Sequence, residues 1–151
     1  MSTLHVSPPA AACPPDLEAL QQQIHHRLGE IIADCLRDHG PISFLDFETN
    51  LLGLLRSLGV LLIQLFLQAH DRRLDLTPWT QARGSRVADD DAERTLKTSC
   101  GEVTYRRAYL LPRRGGGPGV HPLDVALGLT RDGYSPLVIG WFCRLARPRC
   151  R

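Results

Sequence analysis

Five cations crowd into one part of this chain: Lys97, Arg106, Arg107, Arg113 and Arg114. Side chains of that type at that density neutralise phosphates and displace counterions, and arginine also reads guanine edges. Arg144, Arg147, Arg149 and Arg151 form a second basic group. Tyr105 and Tyr109 lie within the first group, too few to make a stacking platform for bases. The plainer reading is core tyrosines beneath an ordinary solvated basic surface. Catalysis finds less support. No nucleophile–base pair, metal-ligand cluster or useful pair of carboxylates can be named. Asp89, Asp90, Asp91 and Glu93 are acidic neighbours, but they lack calcium-loop spacing. Asp124, after Pro122 and Leu123, reads as structural, serving free N–H groups at a helix start. His121 beside it has no evident partner for acid–base work. The glycines at 115, 116, 117 and 119 lack the lysine or the following helix that a phosphate loop needs. No catalytic residue, metal or cofactor is expected.

The cations must be carried on local structure. From Arg94 to Tyr109 the β-branched and aromatic residues Thr95, Thr98, Val103, Thr104, Tyr105 and Tyr109 predict two strands around a tight turn at Cys100-Gly101. In the second strand Val103, Tyr105, Arg107 and Tyr109 share one face, and Thr104, Arg106, Ala108 and Leu110 the other. Each face therefore carries one arginine, and no carboxylate lies between Glu102 and Asp124. A short helix or turn is expected from Pro122 to Leu129. Ser135 then caps a last helix with Pro136 at its first position. Leu137, Val138, Trp141, Phe142 and Leu145 are expected on its buried side.

Two helices are predicted ahead of the hairpin. Residues 16–39 place Leu17, Leu20, Ile24, Leu28, Ile31 and Cys35 at three- and four-residue steps. Gly40-Pro41 ends that pattern. Ser43 and Asp46 suggest a capping box for a second helix running to about His70. It carries two apolar seams, one of Phe44, Phe47, Leu51, Leu54, Leu58, Leu61 and Leu65, the other of Leu52, Leu55, Gly59, Leu62 and Phe66. The first helix covers one seam as an antiparallel hairpin; the other must meet the β-hairpin, a later helix or a second copy. A membrane span is not expected, because the uncharged run from Ser57 to Ala69 is thirteen residues and spanning takes about twenty.

The whole chain has 151 residues, 43% apolar and 23% charged, with a net charge of +2. That is the composition of a soluble globular protein and too little charge to argue for nucleic acid without local clustering. Five cysteines, at 13, 35, 100, 143 and 150, include no Cys-x-x-Cys pair. This speaks against a disulfide framework or zinc ribbon and for a reducing, cytoplasmic setting. The expected divisions are a disordered lead-in at 1–15, a helical hairpin at 16–71 and a polar connector at 72–93. A β-hairpin with the C-terminal helix follows at 94–146, then a tail at 147–151.

The order Cys100-Gly-Glu-Val-Thr-Tyr-Arg-Arg-Ala-Tyr109, then Pro122-Leu-Asp-Val-Ala-Leu-Gly-Leu129, then Ser135-Pro136 resembles the N-terminal region of bacterial transposases of the ISKra4 / UPF0236-like group. The resemblance covers roughly residues 45–146, with its specific part at 96–146. Relatives often carry a Cys-x-x-Cys knuckle or a shorter polar loop in the link, and this chain has neither. The resemblance implies DNA as partner, namely transposon ends, with self-association through the helices. It also implies a downstream RNase H-like domain holding an Asp-Asp-Glu triad on metal ions. No such domain is present in this sequence, so the expectation is a truncated, non-catalytic fragment. The alternative is a helical self-association module, or an inert remnant, without DNA binding. The expected fold is α+β: an N-terminal antiparallel helical hairpin, a small antiparallel β-hairpin and a short C-terminal helix. Lys97, Arg106, Arg107, Arg113 and Arg114 are the expected DNA contacts.

Overall fold

A computed structural model describes residues 17–114 and 117–146. The lead-in, Gly115, Gly116 and the tail from Arg147, including Arg147, Arg149 and Arg151, lie outside the described residues. The fold is α+β. Helices α1 (Leu17–Leu36) and α2 (Phe44–Arg73) form the helical hairpin. A π-helical turn at Pro78–Ala82 leads into strands β1 (Ser85–Lys97) and β2 (Glu102–Pro112). Helices α3 (Pro122–Ala126) and α4 (Pro136–Leu145) follow.

The local signals act where the residue types place them. Gly40 sits at φ 59° between the first two helices, a left-handed conformation that glycine adopts without steric penalty. Ser43 is the N-cap of α2, its hydroxyl oxygen accepting the Asp46 N–H at 3.1 Å. That hydroxyl in turn donates to the Asp46 carboxylate at 2.6 Å. Ser135 caps α4 in the same way, accepting from the Val138 N–H. At the hairpin turn, Thr98 and Gly101 exchange backbone hydrogen bonds of 2.9 and 3.3 Å, and Gly101 takes φ 145°.

β1 and β2 pair antiparallel, with Lys97 opposite Glu102 and Ser85 opposite Pro112. The strand thus begins well before Arg94 and takes in the acidic run Asp89–Asp91, so the expected connector at 72–93 is strand in its second half. The run reads as a connector because its side chains are polar throughout. They remain exposed in the strand; the backbone pairs with β2 at Asp89 and again at Ala92, and between them the Asp91 N–H donates to the Asp89 carboxylate. Two register shifts interrupt the ladder, between Val87 and Asp89 and between Asp89 and Ala92. They break the alternation of β2: Arg107 and Ala108 are buried in succession, and Leu110, not Tyr109, is the next buried residue.

Ala108 has no partner in the ladder. Its carbonyl instead lies 3.2 Å from His121 Nδ1. Buried backbone groups need such partners, so the irregularity ties β2 to the segment before α3. The hairpin is also clamped at both ends. Leu110 and Val120 exchange backbone bonds of 2.9 and 2.8 Å, and Lys97 bonds to Gly133 and Ser135 at 2.7 and 2.9 Å.

The core sits where α2, the hairpin and α3 meet: Leu67, Leu96, Val103, Tyr105 and Leu123, with Val60, Ile63, Leu74, Leu127 and Leu129 packed against it. The hairpin turn packs closely on α2 at Gly59, where an added Cβ would lie 2.5 Å from Cys100 Sγ. Helix α4 contributes no buried residue. Leu137, Trp141, Phe142 and Leu145, expected to be inside, are exposed, because no described element lies across them. Cys35, Cys100 and Cys143 are unbridged.

Candidate functional site

The strand register brings the polar centre of the molecule together. Arg94 is opposite Tyr105, Ala92 opposite Arg107 and Leu96 opposite Val103, so these side chains share the face turned to the core. A charge there needs a partner. Asp124 on α3 supplies it. Its Oδ2 accepts from Arg94 Nη1 at 2.7 Å and lies 3.0 Å from Arg107 Nε. Its Oδ1 accepts from the Tyr105 hydroxyl at 2.9 Å. Arg94 Nη2 also donates to the Thr130 carbonyl.

Asp124 is therefore structural, as expected, but for a different reason. It does not cap α3, whose N-cap residue His121 makes no side-chain capping bond either. It binds the hairpin to α3. The side chains of Arg94, Arg107 and Asp124 are 10%, 9% and 13% exposed, so the carboxylate attracts each guanidinium, and the two guanidiniums repel one another, with little screening by water. Burial, reinforced by the Asp124 charge, pushes the Tyr105 phenol well up and keeps it a hydrogen-bond donor. Burial also lowers the Arg107 pKa, an effect opposed by Asp124. Burial and the Arg107 charge hold His121 below the usual histidine range, so the ring is neutral at pH 7. Asp71, facing Arg107 from α2, has a raised pKa because of burial, moderated by its bond to Ala108 and by Arg107.

The five expected DNA contacts are not gathered onto one surface. Arg107 is only 7% exposed and faces Asp124. Arg106 points to the opposite face and pairs with Asp91. Lys97 is exposed at one end of the hairpin, 5.5 Å from the Tyr134 ring. Arg113 and Arg114 are exposed beyond the other end. At about 3.3 Å per residue, the length of β2 sets these two groups roughly 35 Å apart. Arg107 therefore needs correcting as a surface cation: the alternation that put it on the Val103–Tyr105 face put it in the core.

Neither Arg94 nor Arg131 stands out in the sequence as a site residue, and Asp91, which lacks calcium-loop spacing, serves instead as the partner of Arg106. One signal was present: Val103-x-Tyr105-x-Arg107 places a cation in an apolar row, and Asp124 is the next carboxylate after Glu102. Nothing in the sequence marked Arg94, whose role depends on the register.

A cleft of about 650 Å³ opens beside this centre, its wall including Arg94, Arg107, Arg131, His121, Asp124 and Asp132. A second, of about 780 Å³, lies between the helices near their connection and is lined by Arg27, Glu30, Asp34, Arg37 and Thr49 among others. No group of three or more metal-ligating side chains occurs among the described residues. Comparison of the chain with protein-family models, with curated proteins and with solved structures returns no match.

Proposed function

We propose that this chain is a non-catalytic assembly unit that pairs with a second copy of itself through α2, as the N-terminal part of a transposase-like protein would. The observation that carries the reading is the open seam of that helix. Leu45, Leu52, Leu55, Leu62 and Phe66 are all at least 47% exposed, and they recur at steps of seven, three, seven and four residues. That is the repeat by which one helix packs along another. Gly59 falls in the same repeat and takes the hairpin turn; the leucines on either side stay open. Helix α1, with 20 residues against 30, is about 15 Å too short to follow α2 to its end.

A lipid surface is the competing cover. α2 is long and apolar enough to cross a membrane by length and composition, with a mean hydropathy of 1.8 over a stretch that is 6% buried. A second copy is favoured because the large exposed apolar side chains keep to one stripe, with exposed Asn50 and half-buried Gln64 on the opposite side. A lipid-clad helix is apolar all round. Light scattering on the full chain is expected to give a dimer, and Leu52→Lys/Leu62→Lys a monomer with unchanged helix content. A monomeric wild type, or one that floats with neutral lipid vesicles, overturns the reading.

DNA contact is a second reading, supported by Arg113 and Arg114, which are exposed and have no carboxylate partner among the described residues. Lys97 is the third exposed cation of the set. Duplex binding is expected to weaken with salt, and Arg113→Ala/Arg114→Ala to reduce the log–log slope by about 2. An unchanged slope removes those two residues from the interface.

A further inference from the structure

Arg94 and Arg107 share one carboxylate, and the sharing is incomplete. Arg107 Nε is 3.0 Å from Asp124 Oδ2, yet its N–H is not aimed at that oxygen, and Nη1 has no partner at all. A buried guanidinium with unmet donors is costly. Its planar fork is shaped to take two oxygens of one anion. Arg107 lines the cleft of about 650 Å³ described above, together with Arg94 and Arg131. The carboxylates in that wall are Asp124 and Asp132, so three guanidiniums face two negative charges. Asp124 is already engaged by Arg94 and Tyr105, and Asp132 accepts from the Thr130 hydroxyl. His121 adds no charge at neutral pH. Asp71 approaches Arg107 from α2 but is not part of the cleft wall.

We propose that this cleft binds a phosphate group, held by Arg107 and Arg131, with Arg94 contributing positive charge from behind Asp124. Turning the Arg107 guanidinium towards the cleft gives Nη1 the acceptor it lacks. Arg131 is exposed and has no part in the Asp124 network, so it can be removed without opening the core. The phosphate is either free, as in a small phosphoester, or part of a nucleic-acid backbone. The inference does not rest on self-association through α2.

The test is a titration of the full chain with inorganic phosphate at constant ionic strength, followed by backbone amide NMR shifts, with chloride as control. Saturable shifts confined to the cleft are expected, with affinity roughly tenfold weaker in Arg131→Ala, the loss of one charge-assisted contact. Preserved peak dispersion shows that the variant folds. Shifts that never saturate, that appear equally with chloride, or that are unchanged in Arg131→Ala overturn the proposal. Repeating the titration with duplex DNA present distinguishes the sources. Competition supports the site and assigns it to a nucleic-acid backbone. An unchanged phosphate affinity supports it and assigns it to a free phosphate or small ester.

Discussion

The Arg94–Asp124–Arg107 centre and the outer seam of α2 invert the usual placement of residues. In the first, charged groups are inside, held by Asp124 with side chains about a tenth exposed. In the second, leucines and a phenylalanine are outside, about half exposed or more. A buried charge is tolerated where a single partner satisfies it, so the first region is complete apart from the unmet donors of Arg107. Exposed apolar side chains gain nothing from water, so the second region is incomplete until something covers it. Stability should reside in the polar centre and the small core beside it, and association in the apolar seam.

The sharpest way to break this contrast is Asp124→Ala. It leaves two buried guanidiniums without their counter-charge and a phenol without its acceptor, and is expected to destabilise the fold by about 3–5 kcal/mol in denaturant unfolding. A change under about 1 kcal/mol would mean that water already solvates the centre. Next comes a matched pair on one helix. Leu67→Ala empties a site that is 3% exposed and should cost about 2–5 kcal/mol. Leu55→Ala, at 47% exposure, should change monomer stability by less than about 0.5 kcal/mol while weakening self-association. Equal effects on monomer stability would erase the distinction between the two faces. Tyr105→Phe removes only the hydroxyl on Asp124 Oδ1 and should cost about 1.5–3 kcal/mol, the range for a bond to a charged acceptor.

The smallest expected effect is on pH dependence. His121 is neutral in the fold, its pKa lowered by burial and by Arg107, with Arg94 adding to the lowering and Asp124 and the Ala108 backbone opposing it. As pH falls through about 6.5 the unfolded chain takes up the proton first, so stability declines. Asp71, with its raised pKa, acts with the opposite sign at lower pH, where its protonation favours the fold. Unfolding midpoints between pH 7.5 and 5.5 should slope downward, and His121→Gln should flatten that slope.

Much of this was legible in the residues. The helical hairpin, Ser43 and Ser135 as caps, and the reversal at Cys100-Gly101 all follow from local chemistry acting within a few residues. What was not legible depends on contacts across the chain. Asp89–Asp91 reads as loop because no apolar residue marks a buried face; its strand character comes from β2 and from Arg106 pairing with Asp91. The apolar side of α4 reads as core, since composition shows what prefers burial and not whether a surface is available. Arg107 reads as a free cation until register places Asp124 against it.

The acidic stretch of β1 has a further consequence. A two-stranded sheet has two open edges, and each exposes backbone groups on which another strand can add. Near the hairpin turn Gly133–Ser135 closes the edge of β1, and farther along β2 Val120 closes the other. Between these clamps β1 displays Asp89, Asp90, Asp91 and Glu93, all exposed, where an incoming identical strand would set carboxylate against carboxylate. Electrostatic repulsion, together with the bulges that disrupt the edge, opposes runaway strand addition, and acidification would weaken that barrier to fibril growth.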